Sequence, residues 1–415
     1  MGVSRGAFWI KGLAGGMAGA GLLALALLPA VALISAPAAA QEISEQLAAR
    51  LTEPQQRAYV FYLRARKSFD FEQQAYWIAV EQKRDGRKKK RAASQPFTVD
   101  DYIAEQPPKY QGPALDPEIA KIVTAVKPPE PEAPKPVVAD FLAHARQEYG
   151  FVPVTTSERD FKRRYAEESL RHGLSKAQVV RVYALETGGR GTADMQAGID
   201  PETRKGTPIS SALGYAQLLT ANSISELVKY GDGFVARLEA LARAPGTEPR
   251  RATLLRAKAL AVRRMTAAAR SVPNEWSQHV KFGNTPKGLG IHALNLDADV
   301  GPWLQAIKLK GVKEEADKVG RTRLTGAEIE LMNLAGPRTG LEMMEPVGRT
   351  MPTANFFSQG GYYRNSIVRE KTAAELLKAL DERMEVHLKK PGSIEFAAAF
   401  DEAAQASPPP RAAQR

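Results

Sequence analysis

The sequence predicts a mainly α-helical protein, and three features support that prediction. Amphipathic segments with apolar residues at helical spacing recur along most of the chain after its first forty residues. Two capping boxes, Ser175 with Gln178 and Thr325 with Glu328, are typical of helix starts in which side chain and backbone bond reciprocally. Glycines such as Gly188 follow the apolar series where a helix is expected to end.

The beginning of the chain is typical of a secretory signal peptide. Arg5 and Lys11 are the only charged residues among the first forty, and an Ala-, Leu- and Gly-rich run follows over 12–34. Small residues end the segment, so we expect residues 1–40 to be removed by cleavage after Ala40. The alternative is an uncleaved membrane anchor, because the apolar run is long enough to span a bilayer. Either way we expect a periplasmic or secreted protein, and no later segment is predicted to cross a membrane.

Two regions follow the leader before the second domain. Residues 41–126 are predicted to form an N-terminal helical, basic extension that closes with the basic run 87–93. That run is either a solvated charged face or a surface for an anionic glycan or membrane. The proline-dense segment 127–137 is predicted to be a semi-rigid linker.

The second domain is predicted over residues 138–390 and is again rich in helices. Asn222 with Ser225 predicts a helix start, and Gly231 predicts the end of that helix. A basic helical hairpin is expected after it, up to about residue 270. The low-complexity segment 401–415 is predicted to be disordered.

Composition excludes several classes of site. The chain has no cysteine, which excludes disulfides, thiolate nucleophiles and cysteine-ligated metals. Its five histidines are scattered without metal-ligand spacing, so we expect neither a metal site nor a cofactor: His144, His172, His279, His292 and His387. The net charge of +12 indicates either an acidic partner or a charged surface that serves general solubility. For an exported protein, that partner is expected to be the anionic cell wall or a membrane surface, and not nucleic acid.

The helix that Ser175 opens carries a carboxylate on its apolar face. Val179, Val182 and Tyr183 form the apolar series, and Glu186 completes it. Two glycines follow directly and are expected to end the helix. A carboxylate there is partly desolvated, which raises its pKa and suits a general acid. The other interpretation is a helix-end glutamate that reaches solvent.

Three segments resemble motifs of the soluble lytic transglycosylases, a family of peptidoglycan-cleaving enzymes. E-T-G-G at 186–189 is similar to the family's catalytic Glu-Ser/Thr pair. G-Y-A-Q-L at 214–218, with Ser211 upstream, is similar to its G-L-M-Q-L segment. N-L-A-G at 333–336 is loosely similar to its Y-N-A-G motif, with Asn in place of the Tyr and Leu in place of the Asn. The resemblance covers roughly residues 160–385.

The resemblance implies a lysozyme-like transglycosylase domain with Glu186 as its catalytic residue. In that family one glutamate protonates the glycosidic oxygen between N-acetylmuramic acid and N-acetylglucosamine. The resulting carboxylate then removes the proton of the muramoyl C6 hydroxyl, which attacks C1 and closes a 1,6-anhydro ring. One carboxylate therefore does what ordinary glycosidases do with two. No cofactor is implied.

The resemblance also implies which residues contact the sugar. These candidates are Thr187, Ser211, Gly214, Tyr215, Gln217 and Asn333. The third motif lacks its tyrosine, and we expect Tyr362 or Tyr363 to supply the missing aromatic hydroxyl.

Two other functions remain open at this point. A hydrolytic, goose-type muramidase would use Asp194 or Glu202 to orient a water molecule. A non-catalytic wall-binding protein would keep the fold without the chemistry, and the altered third motif and N-terminal extension favour it. The expected partners are peptidoglycan glycan strands and a cell-envelope assembly partner.

Overall fold

The computed structural model describes residues 43–128 and 134–406. Within them the chain is mainly helical and has no β-strand, which confirms the predicted class. None of the helices in this described part is both long and apolar enough to cross a bilayer. The predicted signal peptide, residues 1–40, lies outside the described residues, and so does the middle of the predicted linker.

The α-helices of the described chain are α1 Glu45–Ala48, α2 Glu53–Ala92, α3 Pro117–Val126, α4 Val138–Tyr149, α5 Glu158–Arg171, α6 Lys176–Thr187, α7 Thr220–Arg243, α8 Pro249–Ala269, α9 Trp276–Gly283, α10 Pro286–His292, α11 Val300–Asp317, α12 Gly326–Ala335, α13 Pro337–Met344, α14 Pro346–Thr350, α15 Gln359–Arg364, α16 Ala373–Leu388 and α17 Pro391–Ala406. Short 3₁₀ helices lie at Val99–Asp101, Ala293–Leu296, Thr353–Asn355 and Ser366–Val368.

The chain divides into two compact units. The smaller one contains the described residues up to Arg64 together with Pro113–Pro128. Its apolar core includes Leu47, Val60 and Ile119, from α1, α2 and α3. The larger unit contains the rest of the described chain.

This division differs from the predicted boundary at the proline-dense linker. Residues Ala65–Gly112, which the sequence analysis assigned to the N-terminal extension, belong to the larger unit. The reason is apolar packing: Trp77 and Val80 of α2 are buried in the same core as α6 and α12. A long helix thus contributes to both units, which the periodicity of its sequence does not reveal.

The larger unit has two hydrophobic cores, and the loop after α6 contributes to both. One core lies among α5, α6, α12, α16 and α17, where Tyr165, Tyr183 and Phe396 pack together. The other lies among α4, α7, α8 and α10. The loop inserts Tyr215 into the first core and Leu213 into the second. Burial on both sides therefore anchors the segment that holds the second motif.

Two predictions about helix ends were wrong. Helix α7 does not end at Gly231 but continues to Arg243 and packs against α8, forming the expected basic hairpin. A Cβ at Gly231 would lie 2.2 Å from Oγ1 of Thr266, so this glycine permits the close approach of the two helices. Residues 401–406, predicted to be disordered, are the last turns of α17. The rest of the predicted tail lies outside the described residues.

Candidate active site

Helix α6 presents Glu186 in its last turn. The predicted capping box forms: the Ser175 N–H donates to Gln178 Oε1 at 2.9 Å, and the Gln178 N–H donates to Ser175 Oγ at 3.3 Å. The helix ends at Thr187, where Gly188 takes the left-handed conformation with φ of +63°. Glu186 is half-buried. Its carboxyl is therefore held at a fixed helix end beside a turn.

Helix α12 brings the third motif to this carboxyl. Its own capping box, Thr325 with Glu328, also forms as predicted. Helix α12 packs on α6, and Nδ2 of Asn333 donates a hydrogen bond to Oε1 of Glu186 at 3.1 Å. The first and third motifs, 147 residues apart in sequence, thus meet at one contact.

A second carboxyl lies at the same place, and the sequence analysis missed it. Glu330 is one turn before Asn333 on α12 and is only 3% exposed. Nδ2 of Asn333 lies 3.3 Å from Oε2 and 3.4 Å from Oε1 of Glu330. One amide nitrogen therefore contacts both carboxyls. The spacing of three residues placed Glu330 on the face of Asn333, a signal that was available in the sequence.

Burial dominates the electrostatics of the pair. It raises the pKa of the Glu186 carboxyl above its ordinary value, against the opposing positive charge of Lys308 and a hydrogen bond from Glu330. The pKa of Glu330 is raised well above its ordinary value, first by burial and then by the negative charge of Glu186. The two carboxyls titrate together, because the charge of Glu186 acts on Glu330 and a hydrogen bond links Glu330 to Glu186.

Other side chains act on the pair from neighbouring helices. Lys308 on α11 lowers the pKa of both carboxyls, and the more distant charge of Arg383 on α16 acts on Glu186 in the same direction. Burial raises the pKa of the Tyr165 hydroxyl, and the charge of Glu186 raises it further. The hydroxyl of Tyr165 is therefore close enough to Glu186 for the charge of that carboxyl to act on it.

The loop of the second motif is tightly folded on itself. Gly214 has φ of +76° and Gln217 has φ of +41°. The Gln217 amide donates to the carbonyls of Gly214, at 2.8 Å, and Met195, at 3.2 Å. Oγ of Ser211 accepts a hydrogen bond from the Thr220 N–H. The side chains of Gln217 and Ser211, for which sugar contact was predicted, therefore form hydrogen bonds within the loop.

Tyr215 and Thr187 are both in the interior. Tyr215 has no exposed surface, stacks on Tyr165 and donates a hydrogen bond to the Glu158 carboxylate. The Thr187 hydroxyl donates to the carbonyl of Tyr183 at 2.7 Å, within its own helix. The expected role of Tyr215 in shaping a sugar subsite is therefore wrong, since its ring fills the core under the loop.

The tyrosines expected to replace the third-motif hydroxyl are engaged elsewhere. The Tyr362 hydroxyl accepts a hydrogen bond from the Glu370 N–H at 2.8 Å. The Tyr363 hydroxyl accepts one from the Gln73 amide at 3.0 Å. Both rings pack against Trp77 of α2. Both tyrosines therefore pack within the larger unit against its part of α2, and Asn333 makes the contact with Glu186 instead.

The acidic residues of the loop are paired with arginines. Oδ2 of Asp194 lies 2.9 Å from Nη1 of Arg204, and Oε1 of Glu202 lies 3.6 Å from Nη1 of Arg190. Over residues 43–128 and 134–406, no cluster of three or more His, Asp or Glu side chains is arranged to hold a metal ion.

Comparisons of the chain with models of known protein families, with curated proteins and with solved structures found no match. The function must therefore be inferred from the residues and their geometry.

Proposed function

We propose that this protein is a peptidoglycan lytic transglycosylase that cleaves the β-1,4 bond between N-acetylmuramic acid and N-acetylglucosamine. In this proposal the larger unit has a lysozyme-like fold, and Glu186 is general acid and then general base. The protein acts in the periplasm or outside the cell after loss of its leader. The observation that carries the proposal is the 3.1 Å hydrogen bond from Asn333 to Glu186.

That contact matters because it joins the first and third motifs of the resemblance. Glu186 is a carboxyl on the apolar face at a helix end, and Asn333 is the first residue of the loosely matched third motif. Burial raises the pKa of the Glu186 carboxyl and so favours the protonated form that a general acid requires. The same group after proton release is a competent base.

The chemistry needs only what this site has. The Glu186 carboxyl gives its proton to the glycosidic oxygen as the bond from that oxygen to C1 breaks. Glu186, now ionised and held by the Asn333 amide, takes the proton of the C6 hydroxyl. The bond from O6 to C1 forms and yields the 1,6-anhydro end, so that no water enters the product.

The hydrolytic alternative requires a second carboxylate across the scissile bond. In inverting enzymes the two carboxyls are roughly 6.5–9.5 Å apart with a water molecule between them. Glu330 does not meet this requirement, because it is buried and shares an amide nitrogen with Glu186. Asp194 and Glu202 are committed to arginines of the same loop. These observations favour ring closure over hydrolysis.

The experiment is a digestion of purified peptidoglycan with the mature protein and with Glu186→Gln. Mass spectrometry of the products separates anhydro ends from reducing ends by the mass of one water molecule. We expect anhydro-muropeptides from the wild type and none from the variant. Glu382→Gln is the matched control, because it removes one negative charge from an exposed position on α16.

The other outcomes favour the alternatives. Reducing-end products would show that the protein hydrolyses the bond and that another carboxylate orients the water molecule. No cleavage by the wild type, with sacculus binding intact, would assign a wall-binding protein and overturn the enzymatic proposal.

A further inference from the structure

The contacts of Asn333 hold two carboxyls at one amide nitrogen. Its single Nδ2 is within 3.1 to 3.4 Å of oxygens on both Glu186 and Glu330. Carboxylates that share a site in this way do not both ionise near neutral pH, because desolvation and like charge oppose the second ionisation. A proton between them removes the conflict.

We propose that Glu330 is a positioning residue that shares one proton with Glu186 near neutral pH and tunes it for both halves of the reaction. This inference rests on the proposed transglycosylase function for its mechanistic part. The sharing of the proton is a property of the folded protein itself and is measured without substrate.

The shared proton explains how one carboxyl acts first as acid and then as base. When the proton passes to the leaving oxygen, both carboxyls of the pair are ionised in a desolvated place. Their mutual repulsion makes Glu186 a stronger base than an isolated carboxylate. It therefore accepts the C6 hydroxyl proton readily, and the pair returns to its singly protonated state with every proton accounted for.

The groups around the pair define what else affects it. Lys308 faces both carboxyls from α11, Arg383 acts on Glu186 from α16, and Tyr165 faces Glu186 from α5. From α16, His387 Nδ1 donates to the carbonyl of Ala184 at 3.0 Å, which occupies that nitrogen with the backbone of α6. Within the described residues no ion pair within 4 Å joins Lys308 to a carboxylate. Its positive charge therefore lowers the pKa of the two carboxyls without direct contact.

Infrared spectroscopy of the folded protein tests the shared proton directly. We expect the wild type to show the C=O stretch of a protonated carboxyl at pH 7, where ordinary carboxyls are ionised. Glu330→Gln, a neutral variant of the same shape, is expected to lose this band. Glu330→Asp is expected to restore it, and Glu382→Gln to leave it unchanged. Absence of the band in the wild type, or its persistence in Glu330→Gln, overturns the proposal.

The pH dependence of anhydro-muropeptide release tests the catalytic part. In Glu330→Gln the last proton leaves a single carboxyl and no second negative charge opposes its loss, so the alkaline limb should move down by about one pH unit or more. A general structural defect would lower the rate at every pH and leave the limb in place, and that result contradicts the proposal. A wild type that shows the band but forms no anhydro product contradicts the proposed function alone.

Discussion

Nε of Arg87 donates a 2.6 Å hydrogen bond to Oε1 of Glu342, and the two side chains are 2% and 4% exposed. The other guanidinium nitrogens donate to the carbonyls of Asp101 and Asn355. Arg87 begins the basic run 87–93, for which solvation or contact with an anionic surface was expected. Its first residue is instead a buried connection between α2 and α13.

Removing this arginine should destabilise the larger unit strongly. Arg87→Met leaves the Glu342 carboxylate with only the partly exposed Arg91 as a partner. Breaking a buried ion pair by removing one partner costs about 3–5 kcal/mol, and the remaining contact with Arg91 should hold the loss toward the lower end. Urea unfolding measures the loss. Lys88→Met is the matched control, because Lys88 is 61% exposed and pairs only with Asp85 of its own helix; equal stability of the two variants would argue against a structural role for the pair.

Asn333 should affect turnover more than substrate affinity. Asn333→Ala removes the amide that contacts Glu186 and Glu330, so under the proposed function the catalytic carboxyl loses its orientation. We expect kcat for release of anhydro-muropeptides to fall about 10-fold or more with little change in KM. Asn284→Ala is the control, since Asn284 is an exposed residue whose side-chain amide donates to the carbonyl of Val280 within its own turn. A changed KM with normal kcat would place Asn333 in substrate binding.

Gly214 should not tolerate a side chain. Its φ is +76°, and a Cβ would lie 2.7 Å from Nε2 of the buried Gln305. The Oε1 atom of Gln305 accepts a hydrogen bond from the Ala216 N–H, so this side chain is held in place. Gly214→Ala is therefore expected to lower the free energy of unfolding by about 1–3 kcal/mol. Gly246→Ala isolates the strain, because Gly246 has φ of +83° with open space around it. Equal losses for the two variants would mean that the contact with Gln305 is unimportant.

His292 should make the protein sensitive to acid. Burial lowers the pKa of His292 to about 4, below the 6.5 of an unfolded histidine. Its Nε2–H donates to the Ser211 carbonyl at 2.7 Å and thereby holds the start of the second motif. The unfolded chain binds the proton first as pH falls. The contribution of His292 to stability is therefore fully present above about pH 6.5 and is lost toward pH 4, by about 3 kcal/mol.

Thermal or urea unfolding across this pH range measures the decline. His292→Gln should be less stable near neutral pH but should lose much of the dependence between pH 6.5 and 4. An unchanged slope in His292→Gln would assign the acid sensitivity to other groups.

The sequence by itself determined the helical class, the two capping boxes and the position of Glu186 at a helix end. These are local properties: the caps satisfy backbone groups within three residues, and glycine ends a helix through its own backbone freedom. Local rules failed where a residue had two physically possible surroundings. Tyr215 suited a sugar subsite as well as a core, and only packing against Tyr165 decided between them.

The tertiary structure alone decided which groups meet at the candidate site. The face shared by Glu330 and Asn333 follows from their spacing, but the arrival of that face at Glu186 depends on how α12 packs on α6. That packing is set by apolar burial over many residues, which no motif encodes. The same burial removes water from both carboxyls and raises their pKa values, so the chemistry of the pair exists only in the folded chain.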